Sequence, residues 1–270
     1  MDDEFPLEVS ENLKKYCQEI EATMKPYLEI EPIPNDNTTL WQSKFGGFPY
    51  YPVASEYPRS PQGNYLYLLA QINFSEVPPL DNFPDRGILQ FYINDDDLYG
   101  CDFDEPTKQE GFRVIYFPEI ELQRDRLIQD FSFLAPPENF PLPFNQAFSL
   151  KLSRKTVSLT TIDEESGEIF SGAFIEEGKE NEEFEEYLEA NGEEMSSSLH
   201  RLGGYPNFTQ NDPRDSLPPE EEPYSLLLQI DSECEKDIMW GDVGIGNFFI
   251  QESALKKLDF SHVLYNWDCG

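Results

Sequence analysis

A block of this chain returns 157 residues further along in a single register, and that repetition limits the possible folds more than any other property of the sequence. Gly46-Gly47-Phe48-Pro49 comes back as Gly203-Gly204-Tyr205-Pro206. Gly87-Ile88-Leu89-Gln90-Phe91-Tyr92-Ile93 comes back as Gly244-Ile245-Gly246-Asn247-Phe248-Phe249-Ile250, and the same offset joins Asp95 to Glu252, Leu98 to Leu255, Asp102 to Asp259 and Phe103 to Phe260. Unrelated segments do not hold one offset over so many positions. The sequence therefore predicts a duplicated unit whose copies pack on each other about a pseudo-twofold axis, since one repeat cannot bury its apolar face alone. The seam between the copies is the first place to look for a ligand.

Within each copy the apolar runs are short, rich in aromatic and branched residues, and bounded by Gly or Pro, which is the pattern of buried strands. Tyr65 to Ile72, Gly87 to Ile93 and Phe112 to Phe117 are the runs of the first copy; Ser225 to Ile230, Asn247 to Gln251 and His262 to Trp267 are those of the second. The expected fold is mostly β, a β-rich α+β domain. Ahead of it, residues 10 to 25 carry Leu13, Cys17, Ile20 and Met24 at helical spacing, with Ser10 as cap and Pro26 as stop. The expected organisation is an N-terminal helix and linker over residues 1–40, a first repeat over 41–120, a connector over 121–198 and a second repeat over 199–270. In the connector, Pro136-Pro137 through Pro143 reads as a loop and Lys155 to Ile162 as a strand. Phe184, Tyr187 and Leu188 have the spacing of an acidic surface helix.

Charge restricts the partners. With 53 Asp and Glu against 19 Lys and Arg the net charge is −34, and the densest basic stretch, Lys151 to Lys155, holds three cations. Such a surface repels phosphate, so no nucleic acid is expected. Fourteen carboxylates lie between Asp163 and Glu194 against the single cation Lys179. That run reads either as a solvated face or as a docking surface for a basic protein partner. The start, Met1-Asp2-Asp3-Glu4-Phe5, has neither the basic nor the apolar region of a secretory signal, and no run reaches the roughly 18–20 apolar residues that span a bilayer. Cys17, Cys101, Cys234 and Cys269 form no C-x-x-C pair and only two histidines accompany them. The expectation is a cytoplasmic protein with reduced thiols, no membrane contact, no metal and no cofactor.

The repeated elements supply the candidate site residues. A cation stands two residues ahead of each Gly-Gly pair, Lys44 in one copy and Arg201 in the other. They read as an anion-binding pair across the pseudo-twofold, or else as parts of a tight turn that docks its aromatic on the core. Gln71 and Gln229 end the apolar strands Leu68 to Ile72 and Leu226 to Ile230, at an offset of 158, and serve either as scaffold or as ligand contacts. Asp85 in Phe83-Pro84-Asp85 and Asp242 in Trp240-Gly241-Asp242 are a possible acid pair or two turn caps. Asn94 to Asp97 lacks the alternating acids and glycine of a calcium loop, and its counterpart Gln251 to Ala254 leads into Leu255-Lys256-Lys257-Leu258. Both are read as helix starts, where carboxylates meet exposed amides. His200 and His262 have no nucleophile elbow or papain-like cysteine with them, so no catalytic residue is assigned.

Ser43-Lys44-Phe45-Gly46-Gly47-Phe48-Pro49, His200-Arg201-Leu202-Gly203-Gly204-Tyr205-Pro206 and Leu227-Leu228-Gln229-Ile230-Asp231 with Trp240-Gly241-Asp242, in that order, resemble the YwqG-like family of bacterial proteins of unknown function. The resemblance runs from Trp41 onward. It implies a duplicated, β-rich cytoplasmic domain and carries no catalytic residue with it. It also implies a neighbourhood of toxin and immunity genes, which suits an acidic, non-enzymatic interaction protein that neutralises a basic partner. The alternative is a small-molecule binding protein or enzyme with Lys44, Arg201, Gln71, Gln229, Asp85 and Asp242 around a pocket between the repeats.

Overall fold

Leu28 and Ile30 alternate with Glu29 and Glu31, the period of a half-buried strand, and they lie at the centre of the fold. The computed structural model describes residues 24–134, 142–157, 200–218 and 220–270. The acidic helix expected at 163 to 194 and most of the Pro-rich loop fall outside these residues. So does the helix expected over 10 to 25, apart from its last two positions.

Strand β1 (Lys25–Pro34) replaces the expected linker, and its prolines explain the misreading. Strand β7 (Arg201–Gly203) pairs with β1 only at Tyr27 to Glu29. Ile30 N–H points to that side, where it donates to the His200 carbonyl at 2.9 Å. By alternation, Pro32 and Pro34 face the same side beyond the first residue of β7, so among the described residues their missing N–H groups break no ladder. On its other side β1 pairs along its whole length with β6 (Phe148–Val157). That strand starts seven residues ahead of the Lys155 expected from the sequence.

The remaining strands are β2 (Lys44–Phe45), β3 (Tyr67–Asn73), β4 (Ile88–Ile93), β5 (Phe112–Phe117), β8 (Tyr224–Asp231), β9 (Ile245–Gln251) and β10 (Leu264–Asp268). The ten strands among the described residues form one sheet in the order β10-β9-β8-β7-β1-β6-β2-β3-β4-β5, with every pairing antiparallel. β2 to β5 are laid out from β6 as β7 to β10 are laid out from β1. Each third strand from the middle carries a register shift, between Leu68 and Ala70 on β3 and between Leu226 and Leu228 on β8. Such bulges bend the sheet.

The sheet curls until its two outer ends face each other, close to a barrel. Phe112 on β5 lies 5.1 Å from Tyr265 on β10, and Phe91 on β4 lies 5.0 Å from Phe248 on β9. The Tyr265 N–H donates to the Pro106 carbonyl at 2.9 Å. One apolar core, from Leu28 and Phe45 to Trp240 and Val263, fills the space between. In the first half, long loops bury a second aromatic cluster on the outer face, around Tyr51, Tyr57, Tyr92 and Phe131.

The two expected helix starts part company. Glu252 opens α1 (Glu252–Lys256), the α-helix among the described residues. Its counterpart at Asp95 to Asp97 is a turn, in which Asp96 Oδ1 accepts from the N–H groups of Leu98 at 3.1 Å and Gly100 at 2.7 Å. The backbone cannot continue as a helix there: Tyr99 and Gly100 both have positive φ, and a methyl group at Gly100 would lie 1.9 Å from the Gly111 carbonyl oxygen. No helix among the described residues is long and apolar enough to cross a membrane.

Candidate functional site

The two Gly-Gly loops show how the candidate cations are used. Lys44 on β2 is fully buried, and its Nζ donates to the carbonyls of Phe48 at 2.7 Å, Leu40 at 3.4 Å and Thr39. Arg201 on β7 is likewise buried; its Nη1 donates to the Tyr205 carbonyl at 3.1 Å and its guanidinium lies 5.5 Å from the Tyr27 ring centroid. Phe48 and Tyr205 are the aromatic residues that follow the two glycine pairs, so each cation closes its own loop. Burial pushes the Lys44 ammonium down to about 7, against the opposing charge of Glu76. Gly46, Gly47, Gly203 and Gly204 all have positive φ, which lets the loop fold back over its cation.

Gln71 and Gln229 sit beside these cations: Lys44 pairs with Gln71 and Arg201 with Gln229 across the strands. Gln71 Oε1 accepts from the Tyr50 N–H at 2.8 Å, while its Nε2 donates to the Leu40 and Gln42 carbonyls, each at 2.8 Å. Gln90 Nε2 donates to the Tyr50 carbonyl at 2.6 Å. The second half repeats the pattern at the matching positions. Gln229 Oε1 accepts from Asn207 N–H at 2.7 Å, and Asn247 Nδ2 donates to the Asn207 carbonyl at 2.9 Å. These amides tie the segment after each glycine pair to the sheet.

His200 follows the same logic. Its Nδ1 accepts from the Asp231 N–H at 3.1 Å, as Ser43 Oγ accepts from Asn73 N–H at 3.0 Å in the first half. The ring proton is therefore on Nε2, which faces Glu233 Oε2 at 3.2 Å. Burial lowers the pKa of His200, with Glu233 opposing. Burial also lifts the Asp231 carboxyl to about 6, although Ser232 N–H and Arg201 pull it down. Asp85 and Asp242 are exposed on separate turns. The Asp242 carbonyl accepts from the Gly270 N–H at 3.1 Å. The structure thus places Lys44 with Gln71 and Arg201 with Gln229, each pair bonded to its own loop, and among the described residues none of the six candidates lines the clefts of about 960, 890 and 660 Å³.

What the sequence did not reveal is a cleft beside each loop. Gly46, Gly47 and Phe48 line one of about 890 Å³ whose walls are largely apolar, with Leu40, Trp41, Phe131 and Phe144. Gly203, Gly204 and Tyr205 line another of about 960 Å³, which draws Leu80 to Phe83 from the first half. This second cleft holds the carboxylates Asp81, Asp212, Asp215, Glu221, Glu222 and Glu252 against the cations Lys25 and Arg214, with Phe83, Tyr205, Phe208 and Tyr224 as aromatic surface. Both cations are engaged. Lys25 Nζ lies 4.1 Å from the Tyr205 ring centroid, and Arg214 Nε donates to the two Asp212 oxygens at 2.9 and 3.0 Å. Asn82 Nδ2 reaches Glu252 Oε1 at 3.0 Å, joining the halves at the rim. An open acidic cleft with aromatic walls suits cationic side chains, which gain from both carboxylates and ring faces.

Residues 43–269 match a family model described as a domain of unknown function. No curated protein matches the chain.

Proposed function

We propose, from the premise that the chain belongs to the DUF1963 family of domains of unknown function, that it is a non-enzymatic module that binds a basic protein segment in its acidic cleft. The observation that carries this reading is the lining of that cleft: six carboxylates contributed by both halves, beside aromatic rings, around about 960 Å³ of open space. A chain of net charge −34 adds long-range steering of a basic partner toward it. Lys44, Arg201, Gln71 and Gln229 are bonded to local backbone instead, which favours binding over an enzyme with a pocket at the seam.

Within the family we read the chain as YwqG-like, bacterial and cytoplasmic, on its two Gly-Gly-aromatic-Pro motifs and Trp240-Gly241-Asp242. Its halves are the products of a duplication, a reading supported by the matched hydrogen bonds of Gln71 and Gln229. Neutralising a basic toxin is the role such a cleft would suit.

The test is titration of a fluorescent Lys/Arg-rich peptide against the full chain. Binding should weaken about tenfold or more between about 50 and about 300 mM salt, because the cleft charges are partly exposed and screened. Asp81→Asn with Asp215→Asn should weaken it further at low salt. An affinity indifferent to salt and to both substitutions overturns the reading.

A further inference from the structure

We infer that the layer between strands β9 and β10 and the segment from Asn207 to Gln210 is a site for a hard divalent cation of the calcium class, held by Asp268 Oδ1 and Asn247 Oδ1. Asn247 pairs with Gln229 on β8 and with Asn266 on β10, and Ile245 pairs with Asp231 and Asp268. Directly paired residues, and residues two apart along a strand, share a face. These polar side chains therefore stand on one face of the sheet.

Two of them are held under the same covering segment. Asn247 Nδ2 donates to the Asn207 carbonyl at 2.9 Å. Asp268 Oδ2 accepts from the N–H groups of Thr209 at 3.1 Å and Gln210 at 2.8 Å. That leaves Asn247 Oδ1 and Asp268 Oδ1, both buried and without a hydrogen-bond partner among the described residues; the residues themselves are 0% and 9% exposed. Asp231 and Asp268 flank Ile245 on the two neighbouring strands of the same face.

The other half shows that the fold does not require this polarity. There the places of Asp268 and Asn266 are held by Phe117 and Ile115, opposite Ile88 and Gln90, and Phe117 packs 5.3 Å from Tyr50. Gln90 Oε1, the counterpart of Asn247 Oδ1, is satisfied by the Tyr92 hydroxyl at 2.9 Å. Phe249 stands where that hydroxyl would be, so the second half has lost the donor and gained a carboxylate. Acceptor oxygens left in one buried layer with a neighbouring acid want a positive guest. Carboxylate and amide oxygens, with backbone or water completing an irregular shell, are calcium ligands. No three of His, Cys, Asp and Glu gather to hold a metal among the described residues, so amide, backbone and water oxygens have to complete the shell around the Asp268 carboxylate. The covering segment also walls the acidic cleft through Phe208 and Gln210, so the ion would stiffen that wall.

Calorimetric titration of the chelator-treated full chain with calcium chloride, at about 150 mM KCl to screen surface charge, tests the site. One saturable ion per chain is expected, with a Kd of order 10⁻⁴–10⁻³ M, the range of sites with few charged ligands. Asp268→Asn should weaken it at least about tenfold. Asn247→Leu should abolish it; because the change also removes the donor of the Asn207 carbonyl, the melting temperature without calcium should fall by a few degrees while the variant still unfolds cooperatively. The exposed Asp85→Asn should change nothing. The inference is overturned by a failure to saturate at one ion per chain, by wild-type affinity in Asn247→Leu, or by equal weakening in Asp85→Asn, which would mark diffuse screening. Should Asp268→Asn fail to fold, Asn247→Leu decides alone.

Discussion

Lys44→Met costs about 1–3 kcal/mol of unfolding free energy, read as a lower urea midpoint at unchanged slope. Methionine fills much of the same volume but donates nothing. The carbonyls of Thr39, Leu40 and Phe48, which all meet Lys44 Nζ, then lose a common donor, and of the three Leu40 keeps a second one in Gln71 Nε2. Each buried acceptor left unpaired costs about 1–3 kcal/mol, and the loop of Gly46 and Gly47 loses its tie to β2. Proton linkage gives a second signature. The folded ammonium titrates at about 7, below its ordinary value of 10.5, so between those values the unfolded chain binds the proton and the folded chain has released it. Stability attributable to this group therefore rises with pH through that window, and its cost is fully present below it. Lys44→Met should flatten that slope. A variant as stable as the wild type at pH 7, with the slope intact, would show that the ammonium does not hold the loop.

Trp240→Ala should cost about 3–5 kcal/mol, the usual range for deleting a large buried aromatic. Its side chain is wholly buried and packs edge-on to Tyr99 at 5.3 Å and alongside Trp267 at 6.4 Å. Beneath the indole lies Gly246, where a methyl group would sit 2.4 Å from the ring. Gly246→Ala alone should therefore cost about 1–3 kcal/mol through overpacking. The two changes should not add: once the indole is gone the methyl group has room, and the double variant should recover at least about 1 kcal/mol relative to the sum of the singles. Additive losses in a thermal or denaturant series would mean that the glycine is dictated by backbone and not by the tryptophan.

The strands of both halves were legible because their apolar runs are bracketed by Gly and Pro. Phe112–Phe117 has the predicted bounds, and the ends of the others shift by at most two residues. β1 was not legible, since Pro32 and Pro34 resemble a linker until β7 is known to stop short of them. The candidate cations and glutamines were visible as repeated residues, but their roles depend on which carbonyls the folded loops bring to them. The acidic cleft was invisible because Leu80 to Phe83 meet Gly203 to Pro206 only in three dimensions. Asp268 was hidden for another reason. It matches Phe117 across β9 and β4 although the two are 151 residues apart, so the constant offset that exposed the repeat conceals the one position where the halves differ most in chemistry.

The middle of the sheet sets the order in which the chain can be completed. β1 comes before the first half yet pairs with β7 of the second, and β6 comes before the second half yet pairs with β2 of the first. A nascent polypeptide must therefore keep Leu28 and Ile30 waiting until residues past 200 leave the ribosome, and pairings that span so much sequence form slowly. Neither half is a separable product of translation: each is finished only by a strand that belongs, in synthesis, to its sibling.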